Sequence, residues 1–411
     1  MVTCGIRAFS YVHRTEPGPR SGIPRKGAVE LAKEVGKEYT FSLWDGKVIV
    51  KPKLDMKYLY IEITSRCNLK CEMCFKQYWE DEEGDMDWEL FLKILDDAEE
   101  FPELKMIYFG GIGEPSVHPR FMDMVREVKK RGFPLGMSSN GTLLTDKMLH
   151  EFAELGVDLI YFSMDTVPTA QNAITLGHLA AAVTADKIRK LVKYREETGT
   201  HRPSIGVEVV VTKENYQQLP DMAQFLLDLG VDAMLVSNLL PLTEEQTKDI
   251  VYDGSVDMTP ILDELYKIAH NGLYIKLPYF ELKTERSCDF DENNVAVIRW
   301  DGEVAPCYRF LHSYYEYIFG RKKKVNAYSF GNVRERSLAE IWTSEKYTWF
   351  RFTMKNYMYT SCTDCPLVDA CDFVKTTDID CWGNEPSCAD CLWSRKIVQC
   401  PIPQHNFGKF Y

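Results

Sequence analysis

From residue 57 onward, short apolar runs alternate with longer amphipathic segments. Short apolar runs predict buried strands, and apolar residues that recur every three or four positions predict helices. The predicted strands are Tyr58–Ile63, Met106–Phe109, Pro134–Met137, Leu159–Phe162, Ile205–Val211 and Ala233–Val236. The predicted helices between them are Trp88–Glu99, Arg120–Lys130, Asp146–Leu155, Ala185–Glu197 and Tyr216–Leu229. This alternation predicts an α/β fold with a parallel sheet or barrel.

The same pattern divides the chain into three regions. Residues 1–55 are an N-terminal extension with a predicted hairpin, in which Asp45 and Gly46 supply the turn between two strand-like runs. Residues 56–281 carry the strand and helix alternation. The alternation stops near residue 282, and residues 282–411 are rich in cysteine. We therefore expect a second domain at the C-terminal end.

Three cysteines, Cys67, Cys71 and Cys74, follow the first predicted strand of the alternating region directly. Cysteine thiolates are the usual ligands of iron–sulfur clusters, and three of them hold three irons of a cubane. No fourth cysteine lies near this motif in the sequence, so one iron would stay open. The alternative is a half zinc site or a disulfide, but zinc motifs rarely combine these two spacings.

The spacing of these cysteines resembles the signature of the radical SAM superfamily. The resemblance implies that the open iron binds the amino and carboxylate groups of S-adenosylmethionine (SAM), whose reductive cleavage gives a 5′-deoxyadenosyl radical. It also implies a partial (β/α)6 barrel of the TIM type, which agrees with the six predicted strands. Met73 stands where the family usually has an aromatic residue. Phe75 is therefore the candidate aromatic cover for the cluster.

The loops after the next strands carry the other candidate SAM contacts, because the active face of such a barrel lies at the strand C-termini. The second strand ends in a glycine-rich turn that resembles the family motif for the SAM amino group. Its candidate residues are Gly110, Gly111, Gly113 and Glu114. The extra Ile112 leaves open whether Gly111 or Gly113 approaches the ligand more closely.

Two further loops resemble SAM-binding segments of the family. Ser139 and Asn140 follow the third strand, and Ser163 and Asp165 follow the fourth. Each pair has an ordinary alternative, because asparagine and aspartate also stabilise turns. Glu208, on the fifth strand, is a further candidate.

The segment after the fourth strand contains no arginine that could neutralise the SAM carboxylate. Relatives in the family place an arginine there. Arg189 and Arg195, on the next predicted helix, are the candidates that remain.

Composition limits the classes of partner. The 411 residues carry a formal net charge of −12, and affinity for nucleic acid by phosphate neutralisation needs a basic surface. No apolar run reaches the roughly 18 residues that a membrane-spanning helix needs. We therefore expect a cytoplasmic protein that binds neither nucleic acid nor a membrane. In that reducing compartment the 13 cysteines are expected to bind metal rather than form disulfides.

The last region contains the other candidate metal ligands. They are Cys288, Cys307, Cys362, Cys365, Cys371, Cys381, Cys388, Cys391 and Cys400. The segment from Gly302 to Cys307 and the closely spaced run from Cys362 to Cys371 resemble the SPASM extension of the family. That resemblance implies two auxiliary 4Fe–4S clusters. A zinc ribbon is the alternative.

The resemblance also carries a provisional division of these ligands. Cys288, Cys307 and Cys381 would serve the cluster nearer the barrel. The distal cluster would use Cys362, Cys365, Cys371 and one residue from the last group of cysteines. Because nine candidates exceed the eight thiolates of two fully ligated clusters, one cysteine is spare.

The sequence therefore predicts a radical SAM enzyme with auxiliary clusters. The array from Asp380 through Cys400 resembles maturases associated with tungsten-containing aldehyde ferredoxin oxidoreductases, which implies such an oxidoreductase as protein partner and a donor such as ferredoxin. One alternative is a peptide maturase that forms thioether or carbon–carbon crosslinks. An iron–sulfur electron-transfer or scaffold protein is an alternative of another class. A basic and aromatic run, His312 to Lys324, is a candidate for binding an anionic partner.

Overall fold

The computed structural model of the protein describes residues 38–43, 46–79, 81–168 and 176–399. The predicted turn residue Asp45, the candidate ligand Cys400 and residues 1–37 of the N-terminal extension lie outside the described residues.

The strands include all six that the alternating pattern predicts, within two residues at each end. They are β1 (Tyr39–Leu43), β2 (Gly46–Val50), β3 (Tyr58–Ile61), β4 (Met106–Phe109), β5 (Leu135–Ser139), β6 (Leu159–Ser163), β7 (Ser204–Val211), β8 (Ala233–Asn238), β9 (Tyr274–Lys276), β10 (Val295–Ile298), β11 (Val304–Ala305), β12 (Tyr314–Ile318) and β13 (Arg321–Val325). The predicted hairpin near the N-terminus is the antiparallel pair β1 and β2.

The helices follow the strands in the predicted order. They are α1 (Trp88–Ala98), α2 (Phe121–Lys130), α3 (Asp146–Leu155), α4 (Leu176–Glu197), α5 (Leu219–Asp228), α6 (Thr259–Ala269), α7 (Asp289–Glu292), α8 (Leu338–Trp342) and α9 (Glu345–Lys355). Helix α3 illustrates how local sequence fixes the ends. The Thr145 side chain accepts a hydrogen bond from the Met148 amide, and Gly156 ends the helix at a φ of 66°.

Nine strands form one open sheet in the order β11-β10-β3-β4-β5-β6-β7-β8-β9. Neighbours from β10 through β9 are parallel, and only β11 is antiparallel. Strand β10 follows residue 281, where we placed the domain boundary, and yet it pairs with β3. The sheet thus continues across the boundary, which itself stays a prediction.

Tyrosine rings pack together on one face of this sheet. The ring centroids of Tyr60 and Tyr108 lie 4.7 Å apart. The strand register places Gly136 beside Tyr108 and Gly206 beside Tyr161. A Cβ on either glycine would lie within 2.7 Å of the neighbouring tyrosine ring. The glycines therefore make room for the rings on this face of the sheet. Open space remains at the C-terminal ends of the strands.

Candidate active site and auxiliary cysteine sites

The cysteine loop after β3 lines one side of a cavity at the C-terminal ends of the parallel strands. The cavity has a volume of about 320 Å³. Cys71 is exposed, and Cys67 and Cys74 are half-buried. Burial raises the pKa of all three thiols, that of Cys74 to about 11. Since thiolates are the ligands, cluster assembly at this loop would release protons.

The glycine-rich turn after β4 packs against the cysteine loop. A Cβ on Gly113 would lie 2.2 Å from the carbonyl oxygen of Thr64, and the Glu114 amide donates to the Arg66 carbonyl at 2.8 Å. Gly111 has a φ of 132° and packs against the Glu62 side chain. Both glycines line the cavity. Of these two glycines, Gly113 has the closer contact, and that contact is with the protein's own backbone.

Gly110 lies behind this turn, because a Cβ there would meet the Tyr308 hydroxyl at 2.0 Å. It is not among the residues that line the cavity.

Glu114 lines the cavity while its carboxylate joins two loops. It accepts hydrogen bonds from the Ser139 hydroxyl at 2.8 Å and from the Asn140 amide at 2.7 Å. Its side chain is buried, and this burial raises its pKa despite the hydrogen bonds. The residue that the family resemblance assigns to the SAM amino group therefore also fixes the loop after β5 to the loop after β4.

Asn140 connects the third loop to the cysteines. Its side-chain amide donates to the Asn68 side chain at 2.9 Å and approaches the Cys67 sulfur at 3.9 Å. The Cys67 sulfur also accepts the Leu69 amide at 3.4 Å. Such donors stabilise a thiolate and therefore a cluster bound at this position.

The two candidates after β6 have different surroundings. Ser163 is exposed and lines the cavity. The Asp165 carboxylate instead accepts the Val210 amide at 2.7 Å, so this side chain fixes the end of β7 and does not line the cavity. Burial raises the pKa of Asp165 to about 6.

Glu208 also lines the cavity, and the Ser138 hydroxyl donates to it at 3.3 Å. Burial raises its pKa to about 7. The side chain therefore changes charge near neutral pH at the floor of the cavity.

The described structure does not bring the two candidate cations to the cavity. Arg195 pairs with Asp232 at 2.6 Å, and Arg189 is exposed on helix α4. Three polar residues that our sequence analysis did not name do line the cavity: Ser237, Asn238 and Gln399. The first two lie at the C-terminal end of β8, so their strand position was the signal that would have identified them.

Four C-terminal cysteines line a second cavity. They are Cys288, Cys307, Cys388 and Cys391, and we call them the Cys288 group. Cys388 is buried and the others are half-buried. Burial raises the pKa of each thiol, that of Cys307 to about 12. The surrounding side chains are mostly aromatic and aliphatic.

This arrangement fits an iron–sulfur cluster. Among the described residues, no three His, Cys, Asp or Glu side chains are arranged around a single metal ion. A cubane needs something different, namely one thiolate per iron distributed around a volume. The buried Arg309 also lines this cavity, and its Nε and Nη1 atoms have no hydrogen-bond acceptor in the part of the chain that the structure describes. Unpaired donors beside thiols are what the sulfur atoms of a cluster would satisfy.

The other C-terminal cysteines lie apart from the Cys288 group. Cys362 is buried in a small cluster with Val374 and Ala389, and Cys371 packs against it. Cys365 is half-buried, whereas Cys381 is exposed. Cys362, Cys365 and Cys371 remain the predicted ligands of the distal cluster.

The structure groups the cysteines differently from the provisional division at two points. Cys381 does not line the cavity of the Cys288 group, and Cys388 and Cys391 do. The physical reason is the turn between them, because the Ala389 carbonyl accepts the Cys362 amide at 2.9 Å. This bond fixes the outer side of the turn to the distal set, while both cysteines of the turn face the other cavity.

Two aromatic residues separate the cavities. Tyr308 and Trp393 line both of them. Trp393 stacks on Phe75 with ring centroids 6.1 Å apart and an interplanar angle of 27°. Phe75 directly follows Cys74 and lines the first cavity. A continuous aromatic wall therefore runs from the first cysteine loop to the Cys288 group.

Comparisons with known proteins agree with this geometry. Residues 61–226 match the radical SAM superfamily, and residues 288–366 match the SPASM iron–sulfur cluster-binding domain. The chain is 84% identical over 355 residues to the tungsten-containing aldehyde ferredoxin oxidoreductase cofactor-modifying protein of Pyrococcus furiosus. That alignment covers 86% of this chain and all of the relative.

More distant proteins share the architecture. A PqqA peptide cyclase of Granulibacter bethesdensis is 23% identical over 346 residues, which cover 80% of this chain and 86% of the cyclase. The crystal structure of Streptococcus suis SuiB bound to S-adenosylmethionine superposes with a TM-score of 0.53 at 19% identity, over 78% of this chain and 72% of SuiB. No described helix is long and apolar enough to cross a membrane.

Proposed function

Because the chain belongs to the radical SAM superfamily and carries a SPASM iron–sulfur domain, we propose that it is a maturase for a tungsten-containing oxidoreductase. It would cleave SAM reductively and use the resulting radical to modify the oxidoreductase polypeptide or its pyranopterin cofactor. The observation that carries this proposal is the cavity in which Cys67, Cys71 and Cys74 meet the loops after four neighbouring strands. The similarity to the cofactor-modifying protein of Pyrococcus furiosus supports this choice of substrate.

The three thiols would hold the cluster by three irons, and the neighbouring loops would hold SAM. When bound and reduced, the cluster supplies the electron that breaks the C5′–S bond of SAM. Ser163 presents a hydroxyl at the cavity wall, and Glu114 fixes the loops after β4 and β5 at one distance from the cysteines. Glu208 offers a carboxyl group that exchanges a proton near pH 7.

The auxiliary region would close the side of the cavity that the open sheet leaves free. Tyr308 and Trp393 form part of the wall toward the Cys288 group. The β12–β13 hairpin docks beside the strand ends, where the Tyr317 amide donates to the Pro241 carbonyl at 2.8 Å. A substrate would then enter between the barrel and the C-terminal region, and a donor such as ferredoxin would deliver electrons.

The test uses anaerobically reconstituted protein with SAM, reductant and the purified oxidoreductase lacking its mature cofactor. We expect 5′-deoxyadenosine together with a mass change in the oxidoreductase or its pterin, and gain of oxidoreductase activity. S-adenosylhomocysteine, which lacks the sulfonium, is the matched control. Crosslinking of a small peptide with an unchanged oxidoreductase would support the peptide maturase instead. If SAM is not cleaved although all clusters are loaded, the electron-transfer protein would be the remaining alternative.

A further inference from the structure

Four ionisable side chains form a buried charge cluster next to the Cys288 group. They are Arg309, Glu316, Lys323 and Asp390, each 2% exposed or less. Arg309 pairs with Glu316 and, at 3.4 Å, with Asp390. Lys323 pairs with the other oxygen of Asp390 at 3.1 Å. Two cations and two anions balance, so the cluster of charges is neutral as a unit.

The positions of Arg309 and Asp390 in the sequence place this charge cluster next to the cysteines. Arg309 follows Cys307 by two residues, in the short turn Tyr308–Phe310. Asp390 lies between Cys388 and Cys391. Of the four charged residues, only Arg309 lines the cavity of the Cys288 group. Its guanidinium therefore lines the cavity together with that of Arg351, and the other three charges of the cluster hold Arg309 there.

Arg309 has more donors than its protein partners use. The ion pairs with Glu316 and Asp390 both involve Nη2. Nε and Nη1 are buried without an acceptor among the described residues. A buried donor without a partner is costly, and the cost is greater for a charged group. A guanidinium held in this way needs an acceptor that the described residues do not provide.

We propose that Arg309 tunes the iron–sulfur cluster of the Cys288 group. Its Nε and Nη1 atoms donate hydrogen bonds to cluster or thiolate sulfurs, and its positive charge stabilises the state that has gained one electron. Hydrogen bonds to sulfur and nearby charge are among the factors that set cluster potentials. The proposal rests on a cluster at the Cys288 group and is independent of the substrate of the maturase.

Two variants separate charge from hydrogen bonding. Arg309→Lys keeps the positive charge and the pair with Glu316 but loses the planar set of donors. Arg309→Met/Glu316→Gln removes the cation together with its closest anion, so that this carboxylate is not left unpaired in the interior. Both variants are made in a Cys67→Ala/Cys71→Ala/Cys74→Ala background, which removes the SAM cluster and its spectrum.

The readout is a redox titration followed by electron paramagnetic resonance, with iron and sulfide analysis of each sample. For Arg309→Lys we expect the oxidised-to-reduced ratio of one auxiliary cluster to rise about tenfold at a fixed potential, which is 59 mV for a one-electron couple. In the double variant this ratio should rise at least as much. The ratio for the other auxiliary cluster should not change.

Arg395→Lys is the matched control. Arg395 is equally buried, but its donors are all used, by Thr363, Asp364 and carbonyl oxygens of the 283–285 segment. It should leave the cluster of the Cys288 group unchanged. Unchanged potentials in both Arg309 variants would overturn the proposal. Loss of four irons from both would also overturn it, since Arg309 would then serve assembly rather than tuning.

Discussion

The two cavities bring cysteines together in opposite ways. In the first, three thiols meet serine, asparagine and glutamate side chains at the strand ends, and Cys71 is exposed. In the second, four thiols lie among mostly aromatic and aliphatic side chains, two arginines and two aspartates also line the cavity, and Cys388 is buried. Three thiolate ligands would leave one iron of a cubane free to bind a small molecule. Four would leave every iron bound to the protein, so that the cluster could exchange only electrons. The number of cysteines in each cavity therefore predicts a different chemistry for each.

Removing single cysteines from each site gives the largest expected effect. Cys67→Ala, Cys71→Ala or Cys74→Ala should abolish formation of 5′-deoxyadenosine, because the cluster that binds SAM is lost. Cys288→Ala should leave cleavage of SAM without substrate intact. We expect about twelve irons in the wild type by the count of four per cubane, and about eight after all three barrel cysteines are replaced.

Undiminished SAM cleavage in all three single variants would refute the division of roles between the cavities. Stoichiometric zinc with about four irons would instead support a zinc ribbon in the C-terminal region.

Gly113→Ala tests whether the glycine turn positions the first cysteine loop. Its Cβ would lie 2.2 Å from the Thr64 carbonyl oxygen, so the loop must move. We expect SAM cleavage to fall about 100-fold, as for a displacement of about 1 Å in a catalytic site. The reduction of the auxiliary clusters should be unchanged.

Gly132→Ala, after helix α2, is the matched control. Gly132 has a φ of 81°, and no atom of the described residues lies within 4 Å of its added Cβ. It should lower stability by about 1 kcal/mol through backbone strain alone and leave SAM cleavage unchanged. Equal activity of the two variants would contradict a positioning role for Gly113.

His312 tests how the C-terminal region is attached to the barrel. Its two ring nitrogens lie 3.1 Å from Glu62 and 3.0 Å from Asp81, and Arg299 lies 4.0 Å from the same oxygen of Asp81. Although burial disfavours the charged imidazolium, the two carboxylates raise the pKa of His312 to about 9. The stabilisation is complete below pH 6.5 and is lost as the pH rises through about 9.

We expect the His312→Gln variant to be less stable than the wild type by up to ~3 kcal/mol at pH 6. The difference should shrink toward zero above pH 9. Anaerobic thermal unfolding of both proteins at pH 6, 7.5 and 9.5 measures it. A difference that does not change with pH would show that the imidazolium is not the stabilising form.

The smallest expected effect concerns the basic hairpin. Lys323 is 1% exposed and paired with Asp390, so it is not available to a partner. Lys322 is exposed and Lys324 is half-buried. Lys322→Ser/Lys324→Ser should raise the KM for an anionic substrate a few-fold, because exposed charges contribute little each. Uncoupled SAM cleavage should not change.

Lys130→Ser/Lys193→Ser, on outer helices α2 and α4, removes the same charge elsewhere and is the control. An equal rise in KM for both pairs would mean that net charge, and not the hairpin, attracts the substrate.

The sequence by itself determined the strands and helices of the barrel, the cysteine loop and the family. These features depend on short-range patterns. Apolar periodicity identified the strands, and the spacing of Cys67, Cys71 and Cys74 is set within eight residues of chain. The candidate loops also followed from topology, since parallel strands bring their C-terminal ends to one edge. That is why Ser139, Asn140 and Ser163 were named and do line the cavity.

Only the tertiary structure decided which distant residues meet. Residue spacing does not say that the turn of Cys388 and Cys391 faces Cys307, because a hydrogen bond from Cys362 orients that turn. Asp165 has the sequence context of a ligand contact, but its carboxylate is used by Val210. From the local sequence, Arg309 and Lys323 would be expected in solvent, as basic residues usually are. In the structure they are buried and pair with Glu316 and Asp390. Long-range pairing depends on where the chain returns, and local sequence does not encode that directly.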